Sequence, residues 1–327
     1  MRRVSERPDS GQLVVVLDNC VLNDILVRNP SGHLSEGIRV AVARQQMAVW
    51  TLPYLIYETV AGGEANRSAA RTKLAFLQAV SGGHMLKYSW DLLSWEAVHG
   101  FFPSGEDRFL PRDKETEIYD ASLAACDRGG IVFNPVDGSE RPFRDLVYEQ
   151  KRAGQRDWLE RIDVTREAII QAFEAAQRNG DVDSHDARSL PERDGEVDFC
   201  ALGGCIRNMP SVVFAGWVAV QTEQYGNRRT VTEEDLSLFP YTGSAAGYRL
   251  AKIVRNYETG YKGANNDSFD VEYCIAASQA DMLVTSDADL KKTCALMPHK
   301  SFGVGGVEDL EDLLVLAASS RRLKQKT

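Results

Sequence analysis

Two aliphatic runs far apart in the chain, LVVVL at 13–17 and MLV at 282–284, are each followed within three residues by an Asp, Asp18 and Asp287. An unbroken run of this kind reads as a strand buried on both faces, and such strands belong to mainly parallel sheets covered by helices. A helical pattern follows each one. After the first, Val21, Leu22, Ile25 and Leu26 share one helix face over about 20–28, and after the second a short helix is expected around 289–296. A further strand, MAVWTLP at 47–53, runs into PYLIYETV, where Pro53 suits the first turn of a helix. The class implied is α/β.

The C-terminal part keeps this grammar. SAAGYRLAKIVRNYETGYKG predicts a helix ending near Gly260, and NNDSFDVEYCIAASQA predicts another that Asp267 can cap. PHKSFGVGG reads as a connection, and VEDLEDLLVLAASSRRL as a final amphipathic helix. Between the two α/β halves lies a different stretch. It holds Trp-bearing helices, the loop NPVDGSERPF, the long amphipathic helix DWLERIDVTREAIIQAFEAAQ at 157–177 and the apolar run SVVFAGWVAV. The expected division is a leader at 1–11, α/β halves at 12–84 and 241–318, a mostly helical insertion at 85–240 and a basic tail at 319–327.

Composition narrows the function classes. With 43% hydrophobic and 26% charged residues the chain has the balance of a globular domain, and no apolar run is long enough to span a bilayer. The expectation is a cytoplasmic protein without a membrane partner. The formal net charge of −9 argues against broad adhesion to a nucleic-acid backbone, but a substrate held locally through metal ions is compatible with it. The six cysteines sit mostly in apolar or helical contexts, as free thiols do in a reducing compartment; Cys200 and Cys205 lack the partners a zinc site needs. The five histidines form no ligand pair, and neither a P-loop nor a G-x-S-x-G elbow is present. A phosphatase of the HAD class would need an Asp where Cys20 stands.

In an open parallel sheet, ligands bind beyond the carboxyl ends of the strands. Asp18 and Asp287 fall at such ends, Glu58 early in the helix after the second strand, and Asp270 early in the helix before the last. Taken singly, each has an ordinary explanation as a cap or a solvated helix residue. Taken together they are acids recurring where strands run out. The segments VVVLDNCVL, LPYLIYETV, DSFDVEYCIAASQAD and LVTSDADL resemble the PIN-domain family of metal-dependent nucleases, over about residues 12–80 and 245–315.

That resemblance implies a PIN-like three-layer α/β/α fold around a mainly parallel sheet, plus the insertion. It implies Asp18, Glu58, Asp270 and Asp287 as catalytic, metal-binding acids. Asp267 and Glu272 are alternatives at the third position, and Asp289 is an accessory to Asp287. Clustered carboxylates repel, and Mg²⁺ or Mn²⁺ relieves that conflict while activating water for phosphodiester hydrolysis. Asn19 and Thr285 or Ser286 are candidates to orient the acids. Arg249, Lys252, Arg255 and Lys262, just before the acidic helix, suit phosphate contacts. The family also implies an RNA substrate, with single-stranded DNA as a second choice, and an antitoxin or other regulator or a second copy of the chain as partner. A PIN-like module that binds RNA or protein without catalysis is the competing reading.

Overall fold

The computed structural model describes residues 12–28, 32–63, 66–133, 140–149, 206–226, 230–259 and 267–324, with a few isolated positions between 152 and 197. The leader at 1–11, the predicted helix at 157–177, Cys200, Cys205 and Lys262 lie outside the described residues.

The chain is mixed α/β around a four-stranded parallel sheet. β1 (Leu13–Leu17) lies between β2 (Met47–Trp50) and β7 (Met282–Val284), and β8 (Gly303–Gly305) forms the far edge, giving the order β2-β1-β7-β8. Consecutive residues of a strand point to opposite faces. Val14 to Leu17 and Met47 to Trp50 are all buried, so protein covers both faces of the centre. That is why these strands read as continuous aliphatic runs rather than as alternation.

Between β1 and β2 come α1 (Asn19–Asn23), continued by one π-helical turn at Asp24–Arg28, and α2 (His33–Ala43). After β2 follow α3 (Pro53–Gly62) and α4 (Arg67–Ser81), then α5 (Ser89–His99) and α6 (Arg112–Asp127). Small antiparallel pairs are formed by β3 (Ile131–Phe133) with β4 (Glu140–Pro142) and by β5 (Glu192–Arg193) with β6 (Glu196–Val197). Further α-helices among the described residues are α7 (Ser211–Glu223), α8 (Pro240–Thr259), α9 (Asp267–Ala277), α10 (Ala288–Leu296) and α11 (Val307–Lys324). Among the described residues no helix is long and apolar enough to cross a membrane.

Residues 85–127, assigned above to the insertion, pack with the α/β elements. Met85 bridges in parallel to Thr51 at the end of β2, and Leu86 bridges to Phe109, so the chain after 84 extends the sheet edge instead of leaving it. Tyr119, Ala125 and Cys126 of α6 belong to the main core. α5 packs against Tyr241, Ala245 and Ile275, and α7 forms a second core with Ala246, Leu250, Ile253 and Val254 of α8. Residues 85–127 are thus integral to the α/β body.

The fourth strand corrects the reading of PHKSFGVGG as a connection. Two glycines in three residues give no β signal, yet Gly303, Val304 and Gly305 pair with Met282, Leu283 and Val284. Glycine here reflects close approach. A Cβ on Gly305 would lie 2.5 Å from Met282 Cε and 2.7 Å from Asp309 Cβ. Gly305→Ala is therefore expected to cost about 1–3 kcal/mol through overpacking, seen as a lowered denaturation midpoint. An unchanged midpoint would mean that the edge strand yields freely.

Candidate active site at the carboxyl edge of the sheet

From β1 the chain goes to β2 on one side, while β7 and β8 occupy the other. The crevice beyond the ends of β1 and β7 is therefore where the strand order reverses, the usual ligand position in an open parallel sheet. Asp18 stands there directly after β1, its N–H bound to Val284 O of β7 at 3.0 Å. This places its carboxylate above the join of the two central strands.

Asp18 is only 5% exposed. Thr285 Oγ1 donates to its Oδ2 at 2.6 Å, and the same Thr285 oxygen accepts the Asp287 N–H at 3.0 Å. One hydroxyl thus ties the ends of β1 and β7 together, and its proton is committed to Asp18. Burial pushes the Asp18 carboxyl from 3.8 up to about 6; the Thr285 bond opposes this, and the negative charges of Glu58 and Asp287 add to it. Cys20, half-buried beside them, is pushed up to about 12 by burial and then by the charges of Asp18, Asp287 and Glu58. Asp18, Glu58 and Asp287 therefore act on common neighbours from three elements.

Glu58 comes from α3, whose start Pro53 sets two residues past Thr51. Tyr273 of α9, fully buried, donates its hydroxyl to Glu58 Oε2 at 2.6 Å. Asp287 also serves as the N-cap of α10: its Oδ1 accepts from Asp289 N at 2.7 Å and Leu290 N at 3.0 Å. Asp18 caps α1 weakly, with Cys20 N 3.4 Å from its Oδ1. The ordinary capping role and the clustering thus coexist at both residues.

The other predicted residues lie differently. Asp270 accepts from the Tyr248 hydroxyl at 3.4 Å, and its charge is felt by Cys274 on its own helix. Glu272 turns toward α5 and α8; burial raises its carboxyl to about 7, opposed by the Ser89 hydroxyl and the Arg249 charge. Asp289 accepts from Arg255 Nη2 at 3.3 Å at an exposed position. Asp267 opens α9. Arg249 donates to Gln221 of α7, and Lys252 is buried. Lys252 is enclosed and Arg249 is half-buried and engaged, because α8 is packed against α5, α7, α9 and α10. Ser286 binds Asp24 at 2.5 Å rather than the cluster, and Asp281 fastens the opposite end of β7 by accepting from Val14 N at 2.8 Å.

Sequence reading missed Tyr273 and Lys73. Lys73 of α4 is buried, and its Nζ donates to Asn19 Oδ1 at 3.0 Å, so Asn19 steers a lysine rather than an acid. The available signal was a Lys on the stripe Ala70, Leu74, Leu77.

Carboxylate oxygens at a sheet edge suit a hard divalent ion in kind. Among the described residues, however, no three His, Cys, Asp or Glu side chains are already set as a ligand cage. Comparison with family models, curated proteins and solved structures finds no significant match.

Proposed function

We propose that this chain is a PIN-like nuclease that hydrolyses phosphodiester bonds, in RNA by preference, with Mg²⁺ or Mn²⁺ held at Asp18, Glu58 and Asp287. In this reading the sheet and its helices form the family's three layers. The observation that carries it is that Asp18, which is buried, and Asp287 stand at the ends of β1 and β7, the strand-order reversal, where burial first, and the Glu58 and Asp287 charges after it, raise the proton affinity of Asp18. Mutual repulsion at a buried edge is a cost that a structural cap alone does not require. A cation removes it.

When bound, the ion would supply a water of lowered pKa and positive charge for the phosphoryl oxygens. The chain's own groups do the rest. Thr285 presents Asp18 in one orientation, Tyr273 holds Glu58, and the first-turn N–H groups of α10 hold the Asp287 carboxylate in place.

The test is cleavage of end-labelled single-stranded RNA, structured RNA and single-stranded DNA with Mg²⁺, Mn²⁺ or EDTA, beside Asp287→Asn. Cleavage that requires metal and falls on the order of 10²-fold in the variant supports the reading. The second reading is a non-catalytic RNA-binding or protein-interaction module, in which Asp18 and Asp287 serve as helix caps. Metal-independent RNA retention without cleavage would favour that module.

A further inference from the structure

Lysine is costly to bury, and a core-facing helix position excludes it unless its charge is answered. Lys73 sits on the apolar stripe of α4 with only 7% of it exposed. Its ammonium donates to Asn19 Oδ1 in the first turn of α1, one residue after Asp18, and α4 packs against α3, which carries Glu58. Burial lowers the proton affinity of this ammonium, and the negative charges of Glu58 and Asp18 oppose that. Asn19 satisfies one of its three donors. The negative charges of Glu58 and Asp18 favour its charged form from further off.

We infer that Lys73 is a tethered counter-cation of the acidic edge, a positioning residue that competes with a divalent ion for the same carboxylates and so limits how tightly the site takes metal. This rests on the metal-binding reading above. A fixed positive charge near Asp18 and Glu58 lowers their repulsion in the metal-free protein. The same charge repels an arriving ion. It has no counterpart in solution, because it cannot diffuse away. The stripe position of Lys73 and the bond to Asn19 hold it there.

The experiment is calorimetric titration of the full chain with Mn²⁺, with melting curves with and without Mn²⁺, for wild type, Lys73→Met, Lys73→Arg and Asp18→Asn. Lys73→Met is expected to bind Mn²⁺ on the order of tenfold more tightly than wild type and to show the larger Mn²⁺-induced rise in melting temperature. Lys73→Arg, which keeps the charge, should stay near wild type, and Asp18→Asn should lose binding. A wild type that binds and an Asp18→Asn that does not, with Lys73→Met equal to or weaker than wild type, overturns the role of Lys73 and leaves the metal site standing. No binding by wild type or Lys73→Met, both melting cooperatively, overturns the metal reading and the inference with it. If Lys73→Met does not melt cooperatively, Lys73→Gln carries the same comparison, since its amide can still donate to Asn19.

Discussion

Asp18→Asn is expected to raise the melting temperature in EDTA while removing metal-dependent cleavage. The stability gain follows from the displaced titration. Burial holds the Asp18 carboxyl at about 6 in the fold against 3.8 in the free side chain, so between those values the folded state binds more protons than the unfolded state. Stability therefore falls as pH rises from about 4 to about 6, and the loss is complete above that window. Roughly two pKa units at ~1.4 kcal/mol each set an upper limit of about 3 kcal/mol at neutral pH. Asn carries no charge and can still accept the Thr285 hydroxyl through its carbonyl oxygen. The variant should melt a few degrees higher at pH 7.5, and the difference should vanish near pH 4. Cleavage should drop on the order of 10²–10³-fold. Added Mg²⁺ should stabilise wild type only. A variant less stable than wild type at pH 7.5 in EDTA would mean that Asp18 is principally a structural cap, which would count against the proposed function.

Glu96→Ala is expected to give a large stability loss. Glu96 of α5 is 0% exposed, and its carboxylate accepts from Tyr241 N at 2.9 Å and from Thr242 N and Thr242 Oγ1 at 2.7 Å each. α8 begins at Pro240, which has no N–H, so Tyr241 and Thr242 supply donors that lack a partner within the helix. Glu96 caps α8 from another helix. Burial pushes its carboxyl up to about 8 in spite of these donors, so its ionisation costs folding energy that they only partly offset. Truncation nevertheless leaves three buried donors unanswered and a small void. The cost should be about 3–5 kcal/mol, read as a lower urea midpoint at unchanged slope. Glu96→Gln, whose amide can accept through one atom only, should fall between the variant and wild type. Equal midpoints for Glu96→Ala and wild type would mean that solvent enters the α5–α8 seam and replaces the carboxylate.

Legibility varied with how local the cause was. β1 and β7 were plain in the sequence because burial on both faces demands unbroken aliphatic runs, and α3 because Pro53 marks its start. β8 was not, because two glycines chosen for contact with Met282 and Asp309 hide its strand character. The acids divided in the same way. Asp18 and Asp287 follow strand ends, so knowing the strands located them. Asp267, Asp270 and Glu272 lie on one helix, and its rotation against α8 and β1 determines which of them approaches the edge.

Alone, then, the sequence determined the class, the central strands and the acids that directly follow them, because hydrophobic period and strand termini are local properties. Tertiary structure decided the rest. It wrapped α8 on several sides, enclosing Lys252 and tying Arg249 to Gln221, where the sequence would allow both on an open face. It also brought Lys73 from α4 and Tyr273 from α9 to Asn19 and Glu58. Those pairings join residues 54 and 215 positions apart. Their free energy depends on burial and on which charges share a low-dielectric edge, and neither is written in any single stretch of chain.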